Sequence, residues 1–161
     1  MSSRGSSASA EAIAPAPPAA TFAVVAPADP ARFYPRFGPL PAVTAVPGWD
    51  GRWDAPGQTR RLELSDGSSV VEHLDVVEPE THVAYHLDSF TGLFGRLVER
   101  AEADWRFAPE ASASTRIRWS YRYIARRGFG PIVAAIVRLF WAPYMRRVLP
   151  GLVAEVARVA D

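Results

Sequence analysis

Apolar and polar positions change their rhythm several times along these 161 residues, and the order of the changes predicts an architecture. Residues 1–20, MSSRGSSASAEAIAPAPPAA, are rich in Ser, Ala and Pro with no continuous apolar stretch, and read as a disordered leader. Thr21 to Ala26 (TFAVVA) is a short β-type run ended by Pro27, after which Asp29-Pro30 supplies an N-cap and first-turn proline for a short helix toward Phe37. Leu40 to Trp49 is punctuated by Pro39, Pro41 and Pro47 and reads as a helix or turn followed by an edge strand. Antiparallel-looking strands then run from about Gln58 to Ala125. From Pro131 the spacing predicts a long helix burying Ile132, Ile136, Leu139, Phe140, Leu149, Leu152 and Val156, with bends expected at Pro143 and Pro150. Strands followed by one C-terminal helix predict a single α+β domain over residues 21–161, a concave antiparallel sheet lidded by the helix and enclosing a cavity.

Register can be argued for the central strands. Gln58–Ser65 and Ser69–Val77 flank Asp66-Gly67; with Gly67 as the left-handed residue of a three-residue loop, Leu62 opposes Val70 and Arg60 opposes Glu72. A two-residue turn would instead mix apolar and charged positions on both faces. The preferred register puts Leu62, Leu64, Val70, Leu74 and Val76 on one face with Arg60 and Glu72, and turns Arg61, Glu63, His73 and Asp75 to water. Val83, Tyr85 and Leu87 extend the same inner face opposite Val76, Leu74 and Glu72. Ala101, Ala103, Trp105 and Phe107 alternate with Arg100, Glu102, Asp104 and Arg106, and Ile117, Trp119, Tyr121 and Tyr123 with Arg116, Arg118, Ser120 and Arg122.

Composition removes several kinds of chemistry. Cysteine is absent, which excludes disulfides, thiolate metal sites and thiol nucleophiles and fits a reducing compartment; a cytoplasmic location is expected. All 18 basic residues are Arg, so Schiff-base and P-loop lysines are impossible. A net charge of +1 with 17 interleaved acids argues against a nucleic-acid partner. Arg and Pro interrupt Phe129–Leu152, so no stable membrane insertion is expected. Oligomeric state is not legible.

Arg60 and Glu72 are the sharpest candidates for chemistry, being charged residues opposite each other on apolar strand faces. Either they form a structural cross-strand ion pair, or Arg60 clamps an oxyanion or carboxylate while Glu72 acts as acid or base. Tyr85, Trp105, Trp119, Tyr121 and Tyr123 form an aromatic stripe that is either core or the wall of a ligand site, together with Leu62, Leu74, Ile136 and Phe140. Trp49 and Trp53 either guard a cavity mouth or anchor their Gly/Pro-rich loop. His82 and His86 stand ~13 Å apart along one strand, too far to share a metal. His73 falls opposite His86 with Asp75 and Asp88 nearby, which reads as a solvated polar face, and no metal is assigned.

The succession Thr21-Phe22-Ala23-Val24-Val25-Ala26-Pro27-Ala28, Phe37-Gly38-Pro39-Leu40-Pro41, Gly57-Gln58-Thr59-Arg60-Arg61, Ser65-Asp66-Gly67-Ser68 and Val71-Glu72 resembles the START-like SRPBCC superfamily, within it the polyketide cyclase/dehydrase and lipid-transport group. Ala84-Tyr85, Trp105-Arg106-Phe107 and Thr115-Arg116-Ile117-Arg118-Trp119 continue the resemblance, which spans about residues 21 to 160. It implies the helix-grip fold, a curved antiparallel sheet around a long C-terminal helix with a deep hydrophobic pocket. It further implies a hydrophobic, polyketide-like or cyclic small-molecule ligand and cofactor-independent cyclisation or dehydration assisted by pocket Arg and Tyr residues, for which Arg60 and Tyr85 are of the right type and beside which Glu72 is the acid or base read from the strand register, or else lipid or metabolite carriage without turnover.

Overall fold

The alternation that marks the two longest strands survives in space: Ala101, Ala103, Trp105 and Phe107 are all buried, as are Ile117, Trp119, Tyr121 and Tyr123, while their charged neighbours face outward. The computed structural model describes residues 5–161. Its strands are β1 (Gly5–Ala14), β2 (Val43–Ala45), β3 (Thr59–Leu64), β4 (Ser69–Glu78), β5 (His82–Asp88), β6 (Val98–Glu110) and β7 (Ser114–Ala125). They form one curved antiparallel sheet in the order β1-β7-β6-β5-β4-β3-β2. The helices are α1 (Pro18–Val25), α2 (Pro30–Phe33), α3 (Gly92–Leu97), α4 (Gly130–Ile136) and α5 (Ala142–Ala160), with a π-helical turn at Val137–Trp141 joining the last two. This is the helix-grip architecture expected from the resemblance.

Register follows the chemistry of the turns. Arg60 opposes Glu72 and Leu62 opposes Val70, and Gly67 adopts the left-handed φ of 84° that the three-residue loop requires. Tyr85 opposes Leu74 and Leu87 opposes Glu72 as the inner-face pattern predicts. The pattern then slips: a bulge at Asp75 pairs Val76 with Ala84 and Val77 with Val83, so Val77, not Val76, packs against the core.

The leader reading is overturned. Gly5–Ala14 pairs with β7 along its whole length, from Gly5 opposite Ile124 to Ala14 opposite Thr115. Ala10 and Ala14 are buried and Ala8 and Ala12 pack against the core, a period-two signal carried by side chains too small to register as hydrophobic alternation. Their smallness suits their neighbour, because α5 lies against β1. Met1–Arg4 fall outside the described residues. β1 thus takes the edge position and covers β7.

TFAVVA is helical, not a strand. Pro18 opens α1, the buried Thr21 and Val25 stand one turn apart, and Phe22 meets Phe107 edge-on at 5.2 Å, so packing overrides the β preference of the valines. The carbonyl of Ala16 at the β1–α1 junction accepts from both Thr21 Oγ1 at 3.1 Å and Thr115 Oγ1 at 2.7 Å. Asp29 caps α2 as predicted, accepting from the amide of Ala31, and that helix ends at Phe33.

The C-terminal helix buries a rotated stripe. Val133, Val137, Tyr144, Met145, Val148, Leu149, Leu152 and Val156 are buried, whereas Ile132 and Leu139 are 50% and 55% exposed. The rotation follows from the π-turn: Ala142 donates to the carbonyl of Val137, five residues back, in the turn before Pro143. Pro150 is carried within α5. Among the described residues no helix is long and apolar enough to cross a membrane.

Removing residues 1–14 is expected to expose the edge of β7 and the face of α5, lowering the midpoint of thermal unfolding by well over 10 °C or leaving the protein insoluble. Circular-dichroism melting checks this, and an unchanged midpoint would restore the disordered-leader reading.

Candidate functional site

Between the inner face of the sheet and the C-terminal helical stretch lies a cavity of about 350 Å³, within the range of small-molecule sites. Its sheet wall comes from Leu62 and Leu64 on β3, Val70 and Glu72 on β4, Tyr85 and Leu87 on β5, and Tyr121 and Tyr123 on β7. The opposite wall comes from α3 and from Ile136, Phe140, Trp141 and Tyr144 around the π-turn, with Tyr34 and the Pro39–Pro41 segment closing one side. Leu93 on α3 lines the cavity yet is 74% exposed, which places it at the mouth.

All five tyrosines of the chain line this cavity. Across the β6–β7 ladder Tyr121 opposes Ala103 and Tyr123 opposes Ala101, small residues that leave room beside the rings. Burial pushes the Tyr34 phenol well above the ordinary value, reinforced by neighbouring Tyr85 and the charge of Glu72. Burial does the same to Tyr85, assisted by Glu72 and opposed by hydrogen bonds with Trp105 and Tyr34 and by Arg60. Tyr121, Tyr123 and Tyr144 are raised by burial first of all. The Tyr144 hydroxyl donates to the carbonyl of Pro35 at 2.8 Å, and the Trp105 indole N–H donates to the Tyr85 oxygen at 3.4 Å. At neutral pH the cavity is therefore dressed with five un-ionised phenols.

Arg60 and Glu72 are 7% and 4% exposed, and Arg60 Nε donates to Glu72 Oε2 at 2.5 Å. They do not share the cavity equally. Glu72 lines it, whereas Arg60 lies outside its wall, its guanidinium 4.9 Å from the Trp49 ring and 4.2 Å from the Trp53 ring. Nη1 of Arg60 is buried with no hydrogen-bond partner among the described residues. Trp49 and Trp53 thus pack on Arg60 and anchor the loop; they do not guard the mouth.

Of the other wall residues read from the sequence, Leu62, Tyr85, Tyr121, Tyr123, Ile136 and Phe140 are brought together with Glu72. Leu74, Trp105 and Trp119 belong to the packed core, the two indoles stacked at 4.6 Å. Tyr34, Trp141 and Tyr144 were not legible as site residues. Tyr34 lies just past a four-residue helix, and the other two are turned inward by a π-turn that only Pro143 hinted at.

Residues 6–157 match the family described as polyketide cyclase / dehydrase and lipid transport. The chain belongs to this family. Membership reaches into β1, further toward the N-terminus than the resemblance in the sequence. No curated protein matches the chain. Among solved structures, the Zhui aromatase/cyclase of a Streptomyces species is 16% identical, with 98% of this chain and 96% of that one covered at a TM-score of 0.68. XoxI from Bacillus cereus is 11% identical, with 97% and 99% covered at 0.66. Ara h 8.0201 is 16% identical, with 96% and 99% covered at 0.59. At such identities the likeness is one of fold, and with the geometry above it supports a cavity for a hydrophobic ligand.

Two predictions follow from the buried polar groups. Phenolate absorbance in an alkaline titration should stay flat through pH 10 and rise only with unfolding. An unfolded tyrosine ionises near pH ~10 while the folded one keeps its proton, so the stability due to these phenols is whole below that pH and is lost as pH rises beyond it. A normal tyrosine titration in the native protein would show that the phenols are solvated. Arg60→Leu should cost about 3–5 kcal/mol by stranding Glu72, whereas Arg60→Met with Glu72→Leu should recover most of the loss in urea unfolding. A double variant as unstable as the single one would show that the pair itself is needed for folding.

Proposed function

We propose that this protein takes a neutral, hydrophobic, keto- or hydroxyl-bearing cyclic or polyketide-like molecule into the cavity and promotes its non-covalent cyclisation or dehydration. The observation carrying this reading is that Glu72, a buried carboxylate, shares the cavity with five neutral phenols, three of them on its own sheet wall. Among the described residues the charged ones lining the cavity are Glu72 and, in the exposed β3–β4 turn, Asp66, and no arginine or histidine lines it. A ligand carboxylate would enter without a facing cation at a cost of several kcal/mol, so neutral carbonyl and hydroxyl groups suit the wall better.

In this mechanism the Glu72 carboxylate removes a proton from a methylene between two carbonyl groups. The developing enolate oxygen is stabilised by hydrogen donation from Tyr85, whose high pKa keeps its proton in place to be donated. The enolate carbon attacks a second carbonyl of the same chain, a C–C bond forms, and the new alkoxide is protonated by the Glu72 carboxylic acid. Dehydration repeats the sequence: the carboxylate takes an adjacent proton and the hydroxyl leaves as water after reprotonation. Arg60 is a positioning residue in this scheme, since it holds Glu72 from behind the wall.

Carriage without turnover is the second reading, favoured by the predominantly apolar lining. The two separate in one experiment on the intact chain, with Nile red as the cavity probe and a synthetic poly-β-ketone as substrate. Tyr85→Phe and Glu72→Gln should each lower the cyclisation rate by about 100-fold while Nile red affinity changes less than about threefold. Equal rates in wild type, variants and buffer, with Nile red still bound, would leave carriage as the function.

A further inference from the structure

The convex face of the sheet carries a cluster that the cavity does not use. His73 on β4 and His86 on β5 are cross-strand partners whose imidazoles stack in parallel, with centroids 4.6 Å apart and planes at 4°. Each ring is held by a carboxylate: His73 Nε2 lies 2.8 Å from Asp88 Oδ1, and His86 Nδ1 lies 2.7 Å from Asp75 Oδ2. One nitrogen from each histidine and one oxygen of Asp88 lie within 4.8 Å of one another.

We propose that His73, His86 and Asp88 form a binding site for a borderline divalent cation of the Zn²⁺ type, with Asp75 as its outer-sphere support. Two imidazoles and a carboxylate are a donor set suited to such an ion, and three protein ligands leave the fourth tetrahedral position to water. Asp75 makes the arrangement more than a chance cluster. A metal-ligating histidine characteristically donates its second ring N–H to a carboxylate, which fixes the tautomer and orients the lone pair. With Nδ1 committed to Asp75, His86 offers Nε2; His73 offers the Nε2 that now faces Asp88.

Because the two rings are stacked with parallel planes, their in-plane lone pairs run side by side, so an imidazole turns out of the stack for both to reach one ion, and the His73–Asp88 contact opens toward the roughly 3.3 Å that separates the donors of a tetrahedral zinc. The three side chains are 31%, 20% and 42% exposed for His73, His86 and Asp88, which leaves them free to adjust and leaves an ion an entry path. His82 is not part of the site, being buried with Nε2 2.6 Å from Asp104 Oδ2.

Isothermal titration of the full chain with ZnCl2, and absorption spectroscopy with CoCl2, test the site directly. The expected result is one tight site per chain and visible Co²⁺ bands of four-coordinate intensity. Binding should be abolished in His73→Ala and His86→Ala and weakened about tenfold or more in Asp75→Asn. The His73→Ala and His86→Ala chains should retain the wild-type melting temperature without metal and lose the Zn²⁺-induced rise seen in wild type. Absence of one-to-one Zn²⁺ binding to wild type, or binding that survives both histidine substitutions, would overturn the site. A full tenfold loss in His82→Ala with no loss in His73→Ala would move the ion elsewhere and overturn it equally. Loss of Nile red binding bears on the cavity alone, so the two proposals fail separately.

Discussion

A guanidinium cannot shed its charge, and this protein buries one. Everything around Arg60 answers that constraint. Glu72 neutralises it from the neighbouring strand, which ties the β3–β4 register to a single pairing; Trp49 and Trp53 cover it with aromatic faces, which brings down a loop of glycines and prolines otherwise free to wander. The pair is double-sided in effect. Its cation faces the indoles and its anion faces the cavity, so one ion pair both seals the outer end of the sheet and delivers a carboxylate to the inner wall.

The cavity exists because large and small residues are matched across strands without being matched across the sheet–helix gap. Ala101 and Ala103 make space beside Tyr123 and Tyr121, while Trp105 and Trp119 stack nearby and make the adjoining region solid. On the helix side the π-turn inserts a residue where a regular helix would have continued its stripe, and Phe140 and Trp141 swing over the opening. Packing is dense where the indoles meet and withheld where the phenols gather. The phenols tolerate this because each is a neutral donor on an otherwise apolar ring.

Much of this was legible in the residues. The Arg60–Glu72 pairing followed from face-matching across one turn, and the two long strands from strict alternation. What escaped did so for identifiable reasons. β1 alternates alanine with serine and glutamate, so its buried face carries little hydrophobic signal despite its regular spacing. TFAVVA has the composition of a strand but is held as a helix by Pro18 and by Phe22 against Phe107. One bulge at Asp75 exchanged Val76 for Val77, and one π-turn rotated Ile132 and Leu139 out to water, because neither irregularity alters composition. Tyr34 reaches the site through tertiary packing alone.

The pairing of β1 with β7 has a consequence for how the chain acquires this form. Thr115 donates to the carbonyl of Ala16, 99 positions earlier, and the strands on either side of that bond zip together along their full length. During synthesis, β1 emerges with no partner and waits until about two thirds of the polypeptide has followed it. Closure of the sheet is therefore a late, non-local event of high contact order, and such events are slow because the loop entropy is lost before the contacts are gained. A strand of serines and alanines is well suited to that wait: it pairs readily when its partner arrives and offers little for a neighbouring nascent chain to grasp before then.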